Sequence, residues 1–150
     1  MIKNIIFDFD GVIVDSEILA SRAFTNYLNN KGHKLKEEEL YCFAGMKTVQ
    51  VIEILSEKYK IDDKNKFSDD IFELVSQVYS KDLMLVEGFK NFISNSNRNH
   101  FIGSNSTKDR IIEGLKIVDL SNIFSNDKIY SFDMVKNPKP DPDVYLKAIN

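Results

Sequence analysis

The feature that most constrains this chain is an apolar run that ends in a pair of aspartates. Ile2 to Phe9, with Ile5, Ile6 and Phe7, is short, β-branched and aromatic, so it reads as a buried strand rather than a helix. Asp8 and Asp10 stand two apart at its end, and side chains two apart share one face of a strand. Gly11 follows, where the chain can turn sharply beside a ligand. Strands separated by helices imply a parallel sheet with right-handed crossovers, hence an α/β fold. Ligands of such sheets bind beyond the carboxyl ends of the strands, which is where both carboxylates fall.

After the first strand the pattern is helical for roughly sixty to seventy residues. Leu19, Ala23 and Tyr27 fall on one face of a first helix, with Ser16 as its cap and Gly32 as its stop after Lys31. A second, shorter helix holds Glu37, Glu38 and Glu39 and stops near Gly45. Ile52, Leu55 and Tyr59 stripe a third, and Ile71, Leu74, Val75, Val78 and Tyr79 a fourth. From Leu83 the texture is α/β again: a Gly88-led helix, a strand from His100 to Gly103, the turn Ser104 to Thr107, and a helix carrying Ile111, Ile112 and Leu115. A short strand near Ile129 to Phe132 leads into Asn137-Pro138-Lys139-Pro140-Asp141-Pro142, whose prolines predict an extended, stiff path. A last helix starts at Asp143. The expected division is an α/β core of residues 1–14 and 83–150 and an inserted α-helical bundle of residues 15–82.

Composition narrows the function classes. At 150 residues and 43% hydrophobic the chain can bury one ordinary core with an insertion, and no apolar run is long enough to span a bilayer. A net charge of −3 without a long basic run argues against nucleic acid and a membrane as partners and for a small molecule. The first strand leaves no room for a signal peptide, and the lone Cys42 has no internal disulfide partner, so a cytoplasmic location is expected. Cys42 is expected in the core between Tyr41 and Phe43, His33 on the surface, and His100 at the start of a strand.

Asp8, Asp10, Ser104 and Lys139 each follow a predicted strand and together supply what phosphoryl transfer needs. Asp8 is the candidate nucleophile, forming an acyl phosphate that divides one displacement into two. Asp10 is the candidate acid and base, protonating the leaving oxygen and later deprotonating water. Mg²⁺ would offset the charge of carboxylate and phosphate, using carboxylate oxygens, a backbone carbonyl and waters. Ser104 and the turn after it, with Asn105, offer donors to the phosphoryl oxygens, and Lys139 a positive charge held between prolines. Gly11 belongs to the same phosphate-binding set. Gly11 and Glu17 also match the end of a calcium-loop pattern, but its first position would be the apolar Ile6 and no helix enters it.

These motifs resemble those of the haloacid dehalogenase superfamily, in the branch with a helical cap inserted after the first motif. Asp8-Phe9-Asp10-Gly11-Val12 with Asp15-Ser16 is similar to the first motif, Gly103-Ser104-Asn105 to the second, and Lys139-Pro140-Asp141-Pro142-Asp143 to the third. The resemblance implies a Rossmann-like core and an aspartyl-phosphate mechanism, with Asp8 as nucleophile, Asp10 as acid/base, Ser104 and Lys139 as phosphate clamps, and Mg²⁺ on Asp8 and the Asp10 carbonyl. Asp10 favours phosphate over halide, since a halide leaving group needs no proton. A phosphatase of a small phosphorylated metabolite, a sugar phosphate, is therefore expected. A β-phosphoglucomutase-like phosphomutase is the nearest alternative, although Ala20 stands where those enzymes carry a His. A non-catalytic partner-binding remnant of the fold is the other. The acidic fourth motif would lie beyond Asn150, so the core is expected to be C-terminally truncated. Weak Mg²⁺ binding, poor turnover and possible self-association through an open sheet edge would follow. In the cap, Lys47 and Thr48 are the expected substrate contacts.

Overall fold

The computed structural model describes residues 2–44, 46 and 48–149. In chain order its elements are β1 (Asn4–Phe7), α1 (Glu17–Asn30), a 3-10 helix (Glu37–Phe43), α2 (Thr48–Lys58), α3 (Lys64–Asp82), α4 (Phe89–Asn95), β2 (Asn99–Ser104), α5 (Lys108–Ile117), a 3-10 turn (Asn126–Lys128), β3 (Ile129–Ser131), a second 3-10 turn (Phe132–Met134) and α6 (Asp143–Ile149). They form two compact units, Met1–Asp15 with Leu83–Asn150, and Ser16–Asp82. Asp15 falls in the first unit, where its N–H donates to the Met84 carbonyl at 2.9 Å.

The first unit is built on a parallel sheet of order β1-β2-β3. Phe7 lies opposite Ile102 and Ser104 opposite Ser131, so the carboxyl ends of the strands lie together. β1 is shorter than the apolar run that encodes it. Ile2 is exposed, and Phe9, although fully buried, lies past the strand. The Phe9 carbonyl accepts the N–H groups of Ile13 and Val14 at 3.0 and 3.1 Å, and Gly11, at φ 73°, donates to Val14 at 2.8 Å. That turn ends the pairing early because the chain must fold back on itself at once. The Phe7 ring meets Phe89, Phe92 and Phe124 edge-on, with centroids 5.3 to 6.3 Å apart.

The second unit packs α1, α2 and α3 with the long 3-10 helix around Phe24, Tyr27, Leu28, Leu40, Ile52, Leu55, Phe67 and Ile71. Phe67 is its aromatic centre, 4.8 Å from the Tyr27 ring and 6.1 Å from Phe24. Leu19, Ala23 and Tyr27 are buried as their spacing predicts. Gly32, at φ 95°, ends α1, and the His33 N–H returns to the Leu28 carbonyl at 3.1 Å. Ser16 precedes α1 in a helical conformation and its side chain makes no capping hydrogen bond. Arg22 joins the unit's beginning to its end: Nε lies 3.1 Å from Glu37 and NH1 2.9 Å from Asp82, the last residue of α3.

Three expectations are corrected here. The acidic second helix is a 3-10 helix, with three residues per turn, so Leu40 and Phe43 turn inward together and Cys42 is exposed rather than buried. His33 is half-buried with its ring 4.6 Å from Tyr59, not free on the surface. The Pro-rich loop turns instead of running extended: the Asp141 N–H donates to the Pro138 carbonyl at 3.1 Å across a cis Lys139–Pro140 bond. Thr48 opens α2, whereas Gly45 and Lys47 lie outside the described residues.

Candidate active site

Asp8 and Ser104 stand where β1 and β2 end, and Lys139 reaches those strand ends from the loop that follows β3 and the second 3-10 turn. Asp8 follows β1, its Oδ1 accepting the Phe9 N–H at 2.8 Å, and the Lys139 Nζ lies 2.9 Å from its Oδ2. The same ammonium donates to the carbonyl of Gly103 in β2 at 3.1 Å and sits over the Tyr145 ring of α6, 5.7 Å from its centroid. Lys139 is therefore held from three sides with 15% of its side chain exposed, while Asp8 keeps 41%. A fixed cation beside an accessible carboxylate can receive an anion in line with that carboxylate.

The position of Lys139 depends on Asn105. The Asn105 side-chain amide donates to the Lys139 carbonyl at 3.0 Å and accepts the Lys139 N–H at 2.9 Å, as a neighbouring strand would. Asn105, expected among the phosphate donors, thus commits its side chain to the loop that carries the cation. Gly11 likewise spends its N–H inside its own turn.

Ser104 closes β2 with 1% exposure, and its Oγ accepts the Ser106 N–H at 3.0 Å, which leaves its own hydrogen to donate. The Ser106 hydroxyl in turn donates to Asp10 Oδ2 at 2.5 Å, and Arg110 NH2 lies 3.6 Å from Asp10 Oδ1. The strand register makes this possible, since pairing of β1 with β2 brings the turn after Ser104 beside the turn after Asp8. Ser106 and Arg110 were not singled out from the sequence. The available signal was their place in the turn and first helical turn after a serine-ended strand, with Thr107 capping α5 through the Arg110 N–H at 3.3 Å.

Asp8 presents hard carboxylate oxygens, partly open to solvent and with lone pairs beyond those already engaged, and Asp10, two residues on, adds a hard backbone carbonyl oxygen. Among the described residues no group of three or more His, Cys, Asp or Glu gathers as a metal site. Mg²⁺ commonly takes one or two carboxylates and completes its six positions with water and substrate phosphate, so this donor set fits it. Of the two histidines, His100 is remote in character: buried, paired through Nε2 with Ser96 Oγ at 2.7 Å, and pushed below the ordinary imidazole range first by burial and then by Lys128. No helix among the described residues is long and apolar enough to cross a membrane.

Comparison with known proteins agrees with the geometry. The chain is 26% identical to a 6-phosphogluconate phosphatase of Escherichia coli K12, over 98% of this chain and 67% of that protein. It is 28% identical to a phosphorylated carbohydrates phosphatase of Thermotoga maritima, over 98% of this chain and 69% of that one. Among solved structures, a haloacid dehalogenase-like protein of unknown function from Agrobacterium tumefaciens superposes with a TM-score of 0.83 at 30% identity, covering 99% of this chain and 68% of its own. Residues 5–150 match the sequence pattern of one family throughout, and with the parallel sheet and the aspartate pair at its edge the chain belongs to the haloacid dehalogenase-like hydrolases.

Proposed function

We propose that the chain is a Mg²⁺-dependent phosphatase of a small phosphorylated carbohydrate, working through a phosphorylated Asp8. The observation that carries this reading is the Lys139 ammonium fixed 2.9 Å from Asp8 and bound to the Gly103 carbonyl beside it. A carboxylate with an immobile cation next to it is placed to attack a phosphoryl group whose oxygens the cation receives. Bound Mg²⁺, held by Asp8 and the Asp10 carbonyl, would supply the remaining positive charge. Ser104 donates its hydroxyl to the same phosphoryl oxygens, and Asp10 gives a proton to the leaving oxygen and later takes one from water. The two curated phosphatase relatives support a sugar phosphate as the substrate class.

The test is phosphate release from a sugar-phosphate panel that includes 6-phosphogluconate, with Mg²⁺ or EDTA, at high protein concentration to register slow turnover. Beryllofluoride binding, which mimics an acyl phosphate, is read in parallel. Mg²⁺-dependent release and beryllofluoride binding are expected, both lost in Asp8→Asn by about a thousandfold or more. Release or binding that survives Asp8→Asn would overturn the assignment of the nucleophile.

A further inference from the structure

Asp10 has two oxygens, and the structure treats them differently. Oδ2 receives the Ser106 hydroxyl, and Oδ1 faces the Arg110 guanidinium at 3.6 Å. A guanidinium can only donate, so the oxygen beside it is kept as an acceptor. A serine hydroxyl both donates and accepts and rotates to suit its partner. It can therefore accompany Oδ2 whether that oxygen carries a proton or not.

We propose that Ser106 and Arg110 are positioning residues that hold the carboxylate of the general acid and base, Ser106 at Oδ2 and Arg110 at Oδ1. The inference rests on the phosphatase reading above. In the first step Asp10 gives a proton to the leaving oxygen as the bond from phosphorus to that oxygen breaks and the Asp8–phosphorus bond forms. In the second, water loses a proton to Asp10 as its oxygen bonds to phosphorus and the Asp8–phosphorus bond breaks. The Ser106 N–H donates to Ser104 Oγ at 3.0 Å, so one residue sets the spacing between a phosphoryl donor and the acid. Neither function depends on the helix cap, because Thr107 Oγ1 receives the backbone N–H of Arg110 and substitution of the side chain leaves that bond in place.

The test compares two substrates in the full chain with Mg²⁺. kcat/KM reports the first step, and p-nitrophenolate leaves without a proton whereas a sugar hydroxyl requires one. Ser106→Ala and Arg110→Gln are expected to lower kcat/KM on a sugar phosphate about tenfold more than on p-nitrophenyl phosphate, a fraction of the effect of a whole acid catalyst. Ser106→Thr and Arg110→Lys, which keep the hydroxyl and the donor-only cation, are expected to restore most of the loss. Crystal structures of the two disabling variants supply a readout independent of turnover, with the Asp10 carboxylate expected to leave its wild-type place. Equal losses on both substrates, or an Asp10 carboxylate unmoved in both variants, would overturn the proposal. Absence of Mg²⁺-dependent phosphate release from the wild type would instead overturn the phosphatase reading, while the position of Asp10 in the two variants still decides this one.

Discussion

Replacing Arg22 by methionine should destabilise the second unit more than replacing either of its partners. Arg22 makes two ion pairs with side chains about a quarter to a third exposed, and its guanidinium is pushed further up, first by Glu37 and then by Asp82. Partly exposed pairs contribute about 0.5 kcal/mol each after solvent screening. Asp82 adds an asymmetry: it ends α3, where a negative charge opposes the helix dipole by roughly 0.3–1 kcal/mol unless a cation offsets it. Arg22→Met keeps the apolar stem but strands both carboxylates, for a total cost of about 1.5 kcal/mol. Asp82→Asn loses one pair and relieves the dipole, leaving a change between about −0.5 and +0.2 kcal/mol. Glu37 opens the 3-10 helix, where its charge is favourable, so Glu37→Gln should cost about 0.5–1 kcal/mol. Urea unfolding of the three variants checks the order, and about half the Arg22→Met cost should vanish in molar salt. A loss below about 0.5 kcal/mol for Arg22→Met, or one equalled by Asp82→Asn, would refute the reasoning.

Burial holds His100 below its ordinary value, so on acidification the unfolded chain takes up this proton first. Its contribution to stability is complete above the unfolded value, about 6.5, and is lost as pH falls below it; urea midpoints of wild type should drop from pH 7.5 to 5.5 more than those of His100→Gln. In Gly103→Ala a Cβ would stand 3.1 Å from Ile6 Cγ2 and 3.4 Å from Val144 and Tyr145, and the melting temperature should fall by an amount corresponding to about 1–3 kcal/mol. Cys42 is exposed, so the native protein should react stoichiometrically with a thiol reagent at the rate of the unfolded chain; slow reaction would show the thiol is covered.

The parts legible from sequence were those with a local cause. The β1 run, the helical stripes of α1 and α3 and the turn after Gly11 follow from period and from backbone freedom, which neighbouring residues determine. Cys42 was misplaced because a 3-10 helix and a short α-helix share a composition and differ only in period. The Pro-rich loop was misread because its path is set by Asn105, far away in the chain, whose amide pairs with the Lys139 backbone. Ser106 and Arg110 were hidden for a related reason: their approach to Asp10 depends on the register of β1 against β2, which no single segment encodes.

The second unit also bears on how the nucleophile reaches its place. β1 must pair with β2, yet the residues between them include all of 16–82. Closing the flexible loop of roughly 91 residues between β1 and β2 costs about 4.0 kcal/mol of chain entropy, against about 3.0 for the roughly 28 that remain when 16–82 counts as a short link. Arg22 near one end of that segment grips Asp82 at the other, so once folded it spans the gap as a short loop would. Its folding thus makes strand pairing easier by roughly 1 kcal/mol. A segment outside the unit that holds the catalytic groups thus contributes, through chain entropy, to what fraction of molecules has an assembled nucleophile.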